Sequence, residues 1–149
     1  MRICLAASSG GHLSQLLRVA PAWKGHDIFW VTTTEVVKEK LEKLGRVCVV
    51  GECNREHPLR VLCVLGRCLA ILLRERPRAI VSTGAATGCL VCLVGKVLGC
   101  KVVWLDSITN VERPSLSGRL VRPFADLFLV QWPDLAEKYR GAEYVGAVV

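Results

Sequence analysis

A doubly wound α/β fold on a parallel sheet is predicted by three features of the sequence. Strand-like and helix-like segments alternate from one end to the other, the order that parallel strands with helical crossovers require. Apolar residues make up 52% of the 149 residues, and the strand-like segments are short aliphatic runs rather than alternating ones. Strands buried on both faces look this way. The first such run passes directly into a glycine-rich loop and an amphipathic helix.

Each element has its own justification. Residues 3–7 are apolar throughout and predict the first strand; residues 13–20 bring Leu13, Leu16 and Leu17 to one side of a helix. Residues 28–32, Ile-Phe-Trp-Val-Thr, are β-branched and aromatic and predict the second strand. A helix over 35–44 and a strand over 47–50 follow. The long helix at 59–74 is rich in leucine, and 79–82 is the next strand. A small-residue helix at 85–98 leads to a strand at 101–105. The remaining elements are a helix at 117–124, a strand at 127–130, a helix at 134–139 and a strand at 143–145. No internal repeat or linker interrupts this order, and residues 1–149 are expected to form a single domain.

Sheets of this kind bind ligands beyond the carboxyl ends of their strands. Four segments fall there: 8–12, 32–34, 83–88 and 106–113. In the first, Gly10 and Gly11 permit a tight turn and close approach to a ligand. The helix start behind them offers free N–H groups to an anion, and His12 sits on its first turn. The same residues also read as a plain strand-to-helix turn with a surface histidine. Thr83-Gly84-Ala85-Ala86-Thr87-Gly88 is a second small-residue loop. It suits a cleft lined by backbone amides, and equally suits close helix packing. Asp106 and Ser107 close a central strand, where Asp106 either binds a ligand or caps a turn.

Composition narrows the function. A net charge of +7 favours an anionic partner such as a membrane surface or a phosphorylated substrate. Nucleic acid is not favoured, because no helix-turn-helix, zinc-finger or stacking-aromatic pattern is present. The glycines lack the G-x-G-x-x-G spacing and the acidic strand end of a dinucleotide site, and no Gly-Lys-Ser/Thr follows them as in a P-loop. The eight cysteines lie among Val, Leu and Ile. That points to free thiols in a reducing compartment, and Cys89-x-x-Cys92 has no second pair at zinc spacing. No leader peptide is read at the start, and no stretch reaches the ~18 uncharged apolar residues of a spanning helix. Arg60, Arg67 and Arg74 recur every seven residues and line up along one helix. They form either a solvated stripe or a face laid on an anionic bilayer.

The Ser8–His12 loop resembles the first loop of the amino-terminal half of a GT-B glycosyltransferase. A similar loop occurs in the lipid II-forming N-acetylglucosaminyltransferase of peptidoglycan synthesis. A more specific resemblance is carried by Trp104-Leu105-Asp106-Ser107-Ile108, Ser115-Leu116-Ser117-Gly118-Arg119-Leu120 and Phe124-Ala125-Asp126-Leu127-Phe128-Leu129-Val130-Gln131-Trp132-Pro133. This ordered set is similar to the membrane-recruiting, acceptor-side subunit of the bipartite N-acetylglucosaminyltransferase of dolichol-linked oligosaccharide assembly. It is more similar still to the bacterial relatives of that subunit in capsule and exopolysaccharide synthesis.

The resemblance implies a Rossmann-like acceptor domain and a separate partner chain that supplies the second, UDP-sugar-binding half. The sequence stops after its last predicted strand, in keeping with that division. The implied activity is transfer of a sugar, without a metal or other cofactor, to a lipid-diphosphate-linked glycan, with the chain inactive alone. The implied place is the cytoplasm, peripheral on the inner face of the cell membrane. Eukaryotic members carry an amino-terminal anchor, whereas none is read here, so Arg60, Arg67 and Arg74 are the expected membrane contact. Gln15 stands where those members often have a carboxylate. His12 is expected to act as general base or to position the acceptor, because a helix amino terminus disfavours an imidazolium. Asp106 is expected to orient His12 or bind an acceptor hydroxyl, with Gly10, Gly11, Gly84 and Ser107 shaping the acceptor site. The alternative is a non-catalytic module that recruits or stabilises its partner.

Overall fold

The computed structural model describes residues 1–148, so position 149 of the expected domain lies outside the described residues. Seven strands alternate with helices: β1 (Arg2–Ala7), β2 (Asp27–Thr32), β3 (Arg46–Val49), β4 (Ala79–Gly84), β5 (Lys101–Leu105), β6 (Leu127–Val130) and β7 (Ala142–Tyr144). The helices are α1 (Gly11–Val19), α2 (Lys38–Glu42), α3 (Pro58–Glu75), α4 (Ala85–Val97), α5 (Leu116–Val121) and α6 (Pro133–Lys138). All neighbouring strands pair parallel, in the order β3-β2-β1-β4-β5-β6-β7. The chain winds outward from β1 to β3, then returns to β4 and winds the other way. Strand order therefore reverses between β1 and β4, where such sheets leave a crevice.

Alternation along the strands divides the core in two. Ile3, Leu5 and Ala7 of β1 face Leu13 and Leu16 of α1, with Trp30, Leu41 and Val81. Cys4 and Ala6 face the other way. There Phe29, Ile80, Trp104 and Phe128 meet Val64, Cys68 and Ile71 of α3 and Val91 and Cys92 of α4. Two expected helices are shorter than their sequence pattern. In place of a helix over 35–44, a single 3-10 turn (Glu35–Val37) precedes the short α2. The adjacent β-branched Val36 and Val37 weaken a helix there. α5 stops at Val121, with Arg122 as its still-helical cap, because Pro123 has no N–H with which to continue the ladder. At the end of α3, Arg76 takes a left-handed conformation (φ 50°) and donates its N–H to the Leu72 carbonyl.

At the amino edge of the sheet, the buried Glu75 accepts from the guanidinium of Arg46 at 2.9 Å and that of Arg74 at 3.2 Å. Arg2 donates to the Glu75 carbonyl oxygen at 2.8 Å and pairs with Asp27 at 2.7 Å. A buried carboxylate needs such partners, since desolvation otherwise favours its neutral form. The hydrogen bond from Arg2 holds the exposed Asp27 carboxyl below its ordinary range.

All eight cysteines are free, and Cys4, Cys68, Cys89, Cys92 and Cys100 are buried. Burial is the main cause that pushes the Cys89 thiol up to about 11 and that of Cys68 to about 12, from an ordinary 9.0. A raised thiol keeps its proton in the folded state after the unfolded chain has released it. The stability it contributes is therefore complete below about pH 9 and is lost as pH rises towards 11 and 12. The urea midpoint is expected to fall as pH rises above 9, and Cys89→Ala is expected to flatten that fall. Denaturation followed by circular dichroism across this range checks both.

Candidate functional site

The pairing of β1 with β4 steps from Ala6–Ser82 to Ala7–Gly84, so Thr83 has no partner on β1. Its carbonyl oxygen instead receives the ring of His12, with Nδ1 at 3.0 Å. A carbonyl can only accept, so Nδ1 carries a hydrogen, and in the neutral ring Nε2 is then the acceptor. The Thr83 hydroxyl in turn donates to the backbone carbonyl of His12. Two hydrogen bonds thus tie the first turn of α1 to the end of β4 at the point where strand order reverses.

Gly84 is required by this arrangement. Its φ is 138°, and a Cβ built there would lie 2.6 Å from His12 Cε1. Gly10 has a φ of 99° and turns the chain into α1, while Gly11 has neither a positive φ nor a close neighbour. The residue after Gly84, Ala85, has a φ of 65°. A left-handed alanine is strained, and strain of this kind gathers at functional loops.

Asp106 does not orient His12, contrary to the sequence expectation. Its carboxylate is buried and accepts from Trp104 Nε1 (3.0 Å), Asn110 Nδ2 (3.1 Å), the Ser115 backbone N–H (3.0 Å) and the Ser115 hydroxyl (2.7 Å). Four donors occupy its lone pairs, so Asp106 shapes the loop after β5. The hydroxyl of Ser107 is likewise engaged, accepting from Gln15 Nε2 at 3.3 Å and the Thr109 N–H at 3.3 Å.

The sequence reading gave no role to the residues that clamp this loop. Gln131, at the end of β6, is buried. Its amide nitrogen donates to the Asp106 carbonyl at 3.0 Å and to the Gln15 side-chain oxygen. Its own side-chain oxygen accepts the Val148 N–H at 2.7 Å. Trp132 Nε1 donates to the Ile108 carbonyl at 2.7 Å. The Gln-Trp pair singled out as a motif therefore fastens the loop after β5 to α1, three residues along from His12.

Beside this site is a cavity of about 190 Å³. Its lining includes Ser8, Thr33, Ala85, Ala86 and Thr87, with Glu52, His57 and Arg60 of the third crossover. The three expected membrane arginines are all exposed on α3. Arg60 lines this cavity, Arg67 donates to the Val50 carbonyl at 3.0 Å, and Arg74 serves the buried Glu75. Among the described residues, no group of three His, Cys, Asp or Glu side chains is placed to hold a metal ion.

Residues 28–148 match the family described as "Oligosaccharide biosynthesis protein Alg14 like". The match begins after the His12 loop. The UDP-N-acetylglucosamine transferase subunit alg14 of Schizosaccharomyces pombe is 48% identical over 120 residues, covering 75% of this chain and 57% of that protein. The corresponding subunit of Yarrowia lipolytica is 33% identical over 124 residues, covering 79% of this chain and 57% of the relative. This chain thus spans 57% of each fungal protein. The mouse subunit is 28% identical over 100% of this chain and 83% of its own length. Among solved structures, Acinetobacter baumannii MurG superposes with a TM-score of 0.79 over 98% of this chain and 45% of its own, at 16% identity. A UDP-GlcNAc 2-epimerase from Neisseria meningitidis gives 0.72 at 10% identity, over 99% of this chain and 47% of its own. These two similarities establish the fold: a Rossmann-like sheet like the amino-terminal half of a GT-B glycosyltransferase.

Gly84→Ala is expected to destabilise the fold by about 1–3 kcal/mol through its strained φ and its contact with the imidazole. Gln131→Leu is expected to cost a similar ~1–3 kcal/mol, because it leaves the Val148 N–H and the Asp106 carbonyl without their partner. Urea denaturation of each variant against the parent measures both losses.

Proposed function

The chain belongs to the Alg14 family of oligosaccharide biosynthesis proteins, and from that premise we propose that it is the acceptor-side subunit of a UDP-N-acetylglucosamine transferase. A partner chain binds the nucleotide sugar, and this chain binds a lipid-linked acceptor. The observation that carries the proposal is His12, whose Nδ1 is held by the Thr83 carbonyl while Nε2 remains able to accept a proton. The fungal and mammalian relatives support oligosaccharide assembly. A bacterial capsule or exopolysaccharide setting has no such support and is not part of the proposal.

The chemistry follows from this geometry. The acceptor hydroxyl attacks the anomeric carbon of the sugar, forming a C–O bond as the bond to UDP breaks and UDP leaves with the electron pair. The hydroxyl proton passes to His12 Nε2. The fixed ring orientation means that little motion is needed at the moment of transfer. The acceptor diphosphate occupies the cavity beside Gly84, where the Arg60 guanidinium and the hydroxyls of Ser8, Thr33 and Thr87 offer donors. Gly10 shapes its rim. Asp106 and Ser107 act indirectly, by holding the loop that borders α1.

Transfer from UDP-N-acetylglucosamine to a lipid-diphosphate acceptor, with and without the partner, tests the reading. This chain alone is expected to be inactive, and the assembled pair active. His12→Asn keeps a donor for the Thr83 carbonyl but removes the base, and is expected to lower turnover on the order of 10²–10⁴-fold with the pair intact. A loss under about threefold would assign the chain to a recruiting or stabilising role instead.

A further inference from the structure

The cavity beside His12 does not end at Arg60. A second hollow of about 480 Å³ adjoins it, and its lining includes Thr34, Gly51, Glu52, Arg60, Cys63 and Arg67. Glu52 and Arg60 line both hollows, which therefore make one groove. One wall is formed by Thr33 and Thr34 after β2 and by residues 51–54 after β3. The other is the first part of α3, from His57 at its cap to Arg67. Arg60 and Arg67 are seven residues apart, about two turns or ~10 Å along that helix.

Arg67 is fixed in this place by the backbone of the opposite wall. Its Nη1 donates to the Val50 carbonyl at 3.0 Å. Gly51 leaves room for the contact: its φ is 89°, and a Cβ built there would lie 3.2 Å from that nitrogen. A guanidinium has five N–H groups. One is used on Val50, and no other hydrogen bond or ion pair engages Arg67 among the described residues. The remaining donors are therefore available to a ligand in the second hollow. Arg60 and Arg67 outnumber the single carboxylate of the lining, Glu52, so the groove favours an anion. Among the described residues, no Phe, Tyr or Trp lines it on which a nucleobase could stack.

We infer that the groove distinguishes a lipid diphosphate from a lipid monophosphate, with Arg60 holding the phosphate nearer the sugar and Arg67 the phosphate nearer the lipid; this rests on the acceptor reading above. The direction follows from His12. A sugar hydroxyl must reach Nε2 at the end of β4, so the sugar lies towards α1 and Gly84. The second phosphate then points along α3, and the hydrocarbon leaves the groove past the exposed Cys63. A monophosphate placed against Arg60 has no second anion to offer Arg67. Two fixed guanidinium groups in line thus measure the length of the anion.

Calorimetry of the full chain with octyl diphosphate and octyl phosphate, together with thiol labelling, tests the inference. The parent is expected to prefer the diphosphate at least about tenfold. Arg67→Gln is expected to weaken the diphosphate about tenfold and to leave the monophosphate within about twofold, and Arg67→Lys to restore part of the loss. The groove carries its own reporters, Cys53 in the cavity and Cys63 in the second hollow, while Cys48 lies in a separate hollow with Arg46 and Arg74. Octyl diphosphate is expected to slow the labelling of Cys53 and Cys63 by N-ethylmaleimide, but not that of Cys48. UDP, which offers the same diphosphate chemistry, is expected to protect neither. Labelling is read on the parent, so this arm holds even if Arg67→Gln fails to fold. Protection of Cys53 without Cys63, or a change in Arg67→Gln that is absent or equal for the two probes, would overturn the inference and leave the acceptor reading in place. Protection by UDP would make the groove a nucleotide site and overturn it as well. Protection of neither thiol by the diphosphate would overturn both. If both thiols are protected and the preference depends on Arg67, yet the assembled pair transfers no sugar, only the catalytic reading fails.

Discussion

The site depends on one irregularity in the sheet. Where β1 and β4 pair, the register skips Thr83, and the released carbonyl takes the imidazole of His12 as its donor. Had the ladder continued regularly, that carbonyl would be spent on a strand neighbour and the ring would be free to rotate. Gly84 completes the constraint, because no side chain fits between the end of β4 and the ring. A backbone acceptor is well suited to the task. It does not titrate, so it fixes the tautomer without adding a charge that would compete for the proton.

Around this point the structure uses buried polar contacts to hold three loops in register. Asp106 gathers Trp104, Asn110 and Ser115; Gln131 joins the loop after β5 to Gln15 of α1 and to the segment at Val148. Each buried group in this cluster has its partner, which is the condition under which a polar network stiffens a core and does not weaken it. By contrast, the side chains of Trp30 and Thr32 under the first crossover keep buried polar atoms without a partner among the described residues.

The fold was legible in the sequence because strands buried on both faces must be apolar throughout, and seven such runs stand between helical patterns. Helix ends were less legible where a proline or paired valines acted locally, as at Pro123 and Val36. His12 and Gly84 were visible as parts of glycine loops, since a tight turn limits which residues can occupy it. The partners of those residues were not visible. Thr83 lies 71 positions from His12, and Gln131 lies 116 positions from Gln15. No local pattern announces such a contact. Asp106 was assigned towards the histidine because its place at a strand end is the same for a ligand-binding and a loop-capping carboxylate; only its four donors decide between them. The arginine row was periodic in sequence, and all three arginines are exposed on α3, but periodicity does not reveal the partners that Arg67 and Arg74 take.

The account turns on the state of one ring, and nitrogen-15 NMR of the His12 imidazole reads that state directly. At about pH 8, where an ordinary imidazole is neutral, the account predicts a single tautomer with the hydrogen on Nδ1 and an unprotonated Nε2. In Gly84→Ala, where the ring is displaced, that preference is expected to disappear. A hydrogen on Nε2 in the parent, or the averaged signal of a freely exchanging ring, would contradict the claim that the Thr83 carbonyl prepares His12 to accept a proton.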